Sequence, residues 1–474
     1  MTHSVYSAYK STGLGWLNDV PAHWELKPLF TLLLETNAKN INEAERNLLS
    51  LSYGRVVPKD IESPEGLLPE SFKTYQIVDK DDIVLRLTDL QNDQRSLRIG
   101  QVPARGIITS AYLNLRTRFN AKPRFLFYQL FSVDTQKVFY NFGGGVRQSM
   151  SFADLKRLPL VLPPLAEQEL ICTFLDRKTS GLDAVIVRKH SLVEALKEKR
   201  SALISRTVTR GLPPKVARAA RIGTHPKLKP TSVEWLGHVP EHWEIVKVRY
   251  IAGRVETGGT PPTIRGDFYE EGTVSWFGPS SFEEQIVLSR PVKLLNQIAV
   301  EEGAARVFKV AATLIVTIGA TLGKVGALAA EASCNQQITV IEFDETRVYP
   351  RFGTYQLKRM EGTLRAIAPS ATLPILSQGD VADILMAIPP LPEQRAIADF
   401  LDRETAKIDS LVAKVEQAIE RLQEYRTALI TAAVTGKIDV RQEQSRLGGQ
   451  SGRGGQNGRT DTPRSAPARK GVHA

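Results

Sequence analysis

Leu162-Pro163-Pro164-Leu165-Ala166-Glu167-Gln168 is answered 226 residues later by Ile388-Pro389-Pro390-Leu391-Pro392-Glu393-Gln394. Two consecutive prolines cannot sit inside a helix, because each lacks an N–H and its ring clashes with the preceding turn. After each pair the sequence takes up helical periodicity, so a long helix is predicted to start there. The echo continues through Phe174-Leu175-Asp176-Arg177 and Phe400-Leu401-Asp402-Arg403, then Ala202-Leu203-Ile204 and Ala428-Leu429-Ile430. In the second stretch Leu401, Ile408, Val415, Leu422 and Leu429 recur every seven residues. Ile397, Leu411, Ala418 and Tyr425 fill the alternate seam position, with Glu404 breaking it. The first stretch has Leu175, Leu182, Lys189, Leu196 and Leu203, with Ile171, Val185 and Leu192. An apolar residue every 3.5 on average asks for a partner helix, and the other copy is the nearest candidate. Some 40 residues make a rod of about 60 Å. Gly211 and Gly436 read as its stops.

Outward from these helices the chain is written twice. Trp16-Leu17-Asn18-Asp19-Val20-Pro21-Ala22-His23-Trp24-Glu25 matches Trp235-Leu236-Gly237-His238-Val239-Pro240-Glu241-His242-Trp243-Glu244 at seven of ten positions, offset by 219. Long repeats of this kind mean two homologous modules. Each has a lead-in segment, a mixed body and a Pro-Pro turn opening the helix. In the first body, residues 83–87 and 112–115 read as strands and 125–138 as helix. In the second, residues 311–318, 325–329 and 338–341 read as strands and 257–262 as a loop. The expected fold class is α+β. The expected divisions are a first module over 1–160, a central helix over 161–211 and a basic extended linker over 212–231. A second module follows over 232–387, a distal helix over 388–438 and a disordered Gly/Arg-rich tail over 439–474.

Length and composition agree. The 474 residues allow about three domains' worth of chain. With 42% hydrophobic and 24% charged residues the composition is globular. No apolar run approaches a membrane span and Met1 to Ser11 holds no apolar signal core, so a cytoplasmic location without membrane contact is expected. Two cysteines, Cys172 and Cys334, exclude a disulfide scaffold. The net charge of +11 is carried wholly by residues 210–230 and 441–474, leaving the remainder neutral.

A search for catalysis finds none. Gly319-Ala320-Thr321-Leu322-Gly323-Lys324 has three residues between its glycines where a phosphate loop has four, and Val325 stands where a Ser or Thr would hold magnesium. It reads as a turn between strands. The four Pro-Pro pairs lack the flanking residues of a DNA amino-methyltransferase motif, and Asp154-Leu155-Lys156 lacks the Pro-Asp of a common nuclease signature. His23 and His242 have no Cys, Asp or His at metal-coordinating spacing. A structural packing role suits them, as it does Trp24 and Trp243.

Two variable bodies, each followed by a near-repeated Leu/Ile-Pro-Pro-Leu-x-Glu-Gln helix, resemble the specificity subunits of type I restriction–modification systems. The Trp-Leu-x-x-Val-Pro-x-His-Trp-Glu segments are similar to that family's module starts. The resemblance covers about residues 5–437. It implies two target-recognition domains, each reading one half of a bipartite double-stranded DNA sequence. It implies two long helices that pair antiparallel. It places methylation and cleavage on separate modification and restriction subunits. No cofactor is expected on this chain; S-adenosylmethionine, ATP and magnesium belong with the partners. Lys189, a charge at a seam position, and the Arg/Gly tail depart from the pattern.

Direct readout needs polar side chains on loops that reach base edges. The first body offers Arg86, Thr88, Asp89, Gln91 and Asn92 beyond a strand, and Arg147 and Gln148 on a glycine-rich stretch. The second offers Thr257, Thr260, Thr317, Lys324, Asn335 and Gln336. The competing classes are a coiled-coil scaffold without sequence-specific DNA reading and a self-contained DNA-modifying enzyme. Bound-fragment sequencing separates the first, and methyl transfer by the purified chain alone the second.

Overall fold

A computed structural model describes residues 4–52, 54–60, 69, 71–88, 97–141, 149–223, 227–233, 235–368 and 374–442. The chain divides into two compact units, residues 1–187 with 419–474, and residues 188–418.

In the first unit four antiparallel strands lie in the order Ile99–Gln101, Ile83–Leu85, Leu113–Thr117, Leu33–Thr36. The central strand Ile83–Leu85 is buried throughout, as a run of apolar residues without alternation requires. Helix Pro123–Thr135, opened by its proline, buries Phe125, Leu126, Leu130 and Val133. A three-stranded sheet of Gly106–Ile108, Gln76–Val78 and Ala38–Lys39 lies outside this one. Strand Pro159–Leu162, just before the Pro-Pro turn, pairs with Glu25–Pro28 of the lead-in segment.

The second unit repeats this plan. Its main sheet runs Ala252–Thr257, Ile338–Phe343, Thr313–Val316, Val325–Leu328, Val287–Leu288. Its first four strands match the first unit's sheet taken in reverse. Helix Pro350–Lys358 stands where Pro123–Thr135 stands, and Leu385–Ile388 pairs with Glu244–Lys247. A second sheet of Lys293–Leu295, Val274–Phe277 and Ser333–Cys334 is added.

The two long helices run over Leu165–Arg210 and Leu391–Val434, 46 and 44 residues. Gly211 and Gly436 end them with φ of 80° and 75°, a region that disfavours any side chain. At Gly436 a Cβ would also strike Pro21. The helices pair antiparallel within each unit. In the first, Arg426 Nε donates to Asp183 Oδ1 at 2.9 Å while Leu175 shares a core with Leu429, Ala433 and Val434. In the second, Arg200 Nε donates to Asp409 Oδ1 at 2.9 Å while Ile204 and Val208 share a core with Ile397 and Leu401. Asp183 and Asp409, like Arg200 and Arg426, are repeat equivalents at the 226 offset.

These pairs correct the predicted seam. Val185, Leu192, Leu411 and Tyr425 are exposed. Ile186, Val193, Val412 and Arg426, one residue later, turn inward, as do Arg200 and Ile419. Three of the four mistaken positions have an aliphatic neighbour immediately after them, so periodicity could not choose between the two. Lys189 stays half-buried in the seam.

The segment expected as an extended basic linker is structured over much of its length. Pro214–Ala219 is a helix that buries Ala217. Leu228–Pro230 pairs with His238–Pro240, as Tyr9–Lys10 pairs with Val20–Pro21 in the first unit. These residues belong to the lead-in of the second module. The tail expected over 439–474 starts too early, since Asp439 and Val440 are buried in the first unit; from 443 onward it lies outside the described residues.

Candidate nucleic-acid interface

The repeated motif residues build the framework. Glu167, almost fully buried, accepts from the Tyr6 hydroxyl at 2.5 Å and pairs with His23 Nε2 at 2.8 Å. In the second module Glu393 pairs with His242 Nε2 at 2.9 Å and accepts from the Trp243 indole N–H at 3.2 Å. Gln168 donates to the Pro163 carbonyl and accepts from Lys122 N, 2.8 Å each. Gln394 repeats this with Pro389 and Tyr349 N, 2.7 Å each. One glutamine therefore ties the Pro-Pro turn to the residue preceding the packed helix. The packed helices then dock on the long ones: Tyr128 donates to Asp176 and Tyr355 to Asp402, 2.6 Å each. Arg124 and Arg351 join the same carboxylates. His23 and His242 thus hold their lead-in segments in place, the packing role expected of them. Among the described residues no group of three or more His, Cys, Asp or Glu could hold a metal ion. No described helix is long and apolar enough to cross a membrane.

The registers put four strand ends of the second module at one edge of its sheet. Thr257 lies opposite Thr339, Val316 opposite Ile338 and Ile315 opposite Val325. The connections leaving there carry all six residues expected in this module. Thr260 donates to the Gln336 side chain, and both are exposed. Thr257 shares a hydroxyl contact of 3.3 Å with Thr339. Lys324 is half-buried and its carbonyl accepts from Val316 N at 2.9 Å. Gly319 and Gly323 take φ of 98° and 92°, so the glycine-rich stretch is the strand-to-strand turn it was read as. Two expected readers are turned inward instead. Thr317 is 2% exposed and its hydroxyl donates to the Gln337 carbonyl at 3.2 Å. Asn335 is 8% exposed and bridges to Gln337 through side chain and backbone. Their polar groups were visible in the sequence, but not that the loop itself consumes them. The pattern also missed Thr263 and Ile264, which stand exposed beyond Thr260. Nearby arginines are neutralised: Arg265 by Asp267 and Glu302, Arg306 by Glu256. This edge therefore presents hydroxyl, amide and methyl groups, the chemistry of base edges in the major groove.

In the first module the matching edge is the end of Ile83–Leu85 and the start of Ile99–Gln101. Arg86 and Thr88 lie there, both half-buried. Asp89, Gln91, Asn92, Arg147 and Gln148 lie outside the described residues. Two neighbours bind the flanks of these stretches together. Met150 N donates to the Leu87 carbonyl at 2.9 Å. Arg98, fully buried, donates from Nη1 to the carbonyls of Arg86 at 3.2 Å and Thr88 at 2.8 Å, and from Nε to the Tyr140 hydroxyl at 3.3 Å. Sequence reading missed Arg98. An arginine ahead of an apolar strand reads as solvated unless its carbonyl partners are known.

The family model for the type I restriction modification DNA specificity domain matches residues 70–189 and 240–421, more than half of the chain. A putative type I restriction enzyme MjaX specificity subunit from Methanocaldococcus jannaschii is 21% identical over 452 residues, covering 91% of this chain and 97% of that one. The EcoBI specificity subunit of Escherichia coli is 36% identical over 107 residues, 23% of each chain. A chain solved in work on complex assembly and conformational transition of the type I R-M system superposes with a TM-score of 0.57 at 16% identity, covering 88% of this chain and 99% of that one. With its two duplicated modules and paired long helices, the chain belongs to the type I restriction–modification specificity family and is a DNA target-recognition subunit.

Proposed function

We propose that this chain reads a bipartite double-stranded DNA target, each module taking one half-site through the loop edge of its sheet. The modification subunits that methylate DNA and the restriction subunits that cleave it assemble on it in the cytoplasm. The chain itself is not an enzyme and binds no cofactor. S-adenosylmethionine, ATP and magnesium are used by those partners. One observation carries this reading: the residues shared by the two modules are spent on the framework, while the loop edges differ. A framework common to both modules with private edges is what two independent readers on one scaffold require. Thr260, Gln336 and Lys324 in the second module, and Arg86 and Thr88 in the first, are the described residues we assign to the reading edges.

The test is an exchange of bodies. Replacing residues 26–150 with the matching body of a relative, in a host that carries the modification subunits, changes one half of the methylated sequence and leaves the other as it was. Methylome sequencing reads the outcome. Both halves changing together would mean that the modules do not read separately.

A further inference from the structure

Asp134, in the last turn of helix Pro123–Thr135, and Glu361, which opens the helix following Pro350–Lys358, hold one sequence position of the repeat. Each stands five residues after the glutamine, Gln129 or Gln356, that hydrogen-bonds the strand ahead of its Pro-Pro turn. Nothing in the motif marks them, since one is an aspartate and the other a glutamate in unlike surroundings. The structure gives them one task. Arg98 N donates to Asp134 Oδ2 at 2.8 Å, and Val325 N donates to Glu361 Oε1 at 2.8 Å. Arg98 immediately precedes Ile99. Ile99 and Val325 are structural equivalents: Leu85 lies opposite both Ile99 and Leu113, and Ile315 opposite both Val325 and Thr339. In each module a carboxylate from behind the sheet thus holds the backbone where the chain returns from the reading edge.

A second contact completes each clamp. In the first module Arg98 grips the outgoing arm through the carbonyls of Arg86 and Thr88. In the second, Lys358 Nζ donates to the Val325 carbonyl at 3.2 Å and pairs with Glu361 at 2.9 Å. The Glu361 carbonyl also lies against Gly323, where a Cβ would clash. A carboxylate accepting a backbone N–H makes a short, directional bond. A base-edge hydrogen bond fails within a few tenths of an ångström or some tens of degrees. A returning strand free to shift would therefore blur whatever its connection reads. We propose that Asp134 and Glu361 are positioning residues for DNA recognition, each fixing the pose of the reading connection of its own module and no other.

The inference rests on the DNA-reading function, and the test separates the two. The full chain, assembled with its modification subunits, is offered a library of random DNA duplexes, and bound duplexes are sequenced. Unless the unaltered chain selects a two-part motif, the function itself fails. Given that motif, Asp134→Ala lowers discrimination against a mismatched base pair roughly tenfold in the first half-site alone, about the weight of one base contact. Glu361→Ala does so in the second half-site alone. Asp134→Asn and Glu361→Gln keep an acceptor oxygen and restore most of the selectivity. Selectivity unchanged in both variants, or both halves relaxing in either, overturns the proposal. Should Asp134→Ala fail to assemble, Glu361→Ala decides alone, made together with Lys358→Met so that no unpaired ammonium is left buried; an unchanged second half then refutes the proposal.

Discussion

The two modules share most of their contacts with the long helices and disagree at the far edge of the sheet. Glu167 and Glu393 pair with the histidines of their modules, Gln168 and Gln394 bond the Pro-Pro turns, and Tyr128 and Tyr355 donate to Asp176 and Asp402. At the sheet edge residues 86–98 connect the central strand to its neighbour in one module, and the glycine turn 317–324 does so in the other. Repetition in this sequence therefore reports mechanics. The motif residues that look most functional hold the scaffold, and in the proposed function the unmatched residues carry specificity.

The framework is the place to break the comparison hardest. Trp24 and Trp243 are both fully buried at equivalent positions. Truncating either to Ala costs about 3–5 kcal/mol, from lost burial and the cavity left behind. The equivalence then has a limit. The Trp243 indole N–H reaches Glu393, whereas in the first module the hydroxyl of Tyr6 takes that place on Glu167. The Trp24 indole N–H has no acceptor among the described residues. Trp243→Phe should therefore cost about 1 kcal/mol more than Trp24→Phe, in denaturant unfolding of the two variants. Equal costs would remove the bond to Glu393 from the account.

A finer contrast lies in the helix pairs. The Arg200 side chain is 7% exposed, and its partner Asp409 is partly buried. Arg426, its equivalent, is 22% exposed, and its partner Asp183 is also held by Arg55 at 2.7 Å. Arg200→Ala should cost about 3 kcal/mol, because a buried charge pair is broken. Arg426→Ala should cost about 1 kcal/mol, because the pair is more hydrated and Asp183 keeps a cation. Unfolding midpoints of the two variants measure the difference, and the reverse order would mean that solvent exposure does not set the strength of these pairs.

The duplicated plan was legible because Pro-Pro turns, helical periodicity and the lead-in repeat are local signals. Strand candidates at 83–87, 112–115, 325–329 and 338–341 overlap the observed strands, with ends shifted by at most two residues. The seam was half legible. Leu175, Leu401, Ile408 and Leu429 are buried as expected. Leu192 and Leu411 were chosen over Val193 and Val412, since two adjacent apolar residues satisfy a heptad equally well. What decides between them is the reach of Arg200 to Asp409, a contact across 209 residues of sequence. The sheet edge proposed to read DNA was legible only as a set of polar connections. Thr317 and Asn335 lie on those connections but are consumed by the loop. Asp134 and Glu361 gave no sign, because their partners are backbone groups that no side-chain pattern records.

The two cysteines supply one probe per module, Cys172 in the first unit and Cys334 in the second. Burial, aided by the nearby carboxylates of Asp176 and Glu169, pushes the Cys172 thiol up to about 12. Burial pushes the Cys334 thiol to about 12 as well, against a hydrogen bond from the Gly258 backbone. A free thiol ionises near 8.5, so the unfolded chain releases these protons while the folded chain keeps them. Stability then falls as pH rises above about 8.5, by roughly 2 kcal/mol per thiol at pH 10. Cys172→Ala and Cys334→Ala should each flatten that fall by about half. At pH 8 both thiols of the native chain resist alkylation, since reaction needs an accessible thiolate. Pulsed alkylation through a denaturant series, read by mass spectrometry at each cysteine, then reports the opening of each unit separately. Trp243→Ala should advance the labelling of Cys334 ahead of Cys172, and Trp24→Ala should do the opposite. Coincident labelling in both variants would mean that the two modules unfold as one.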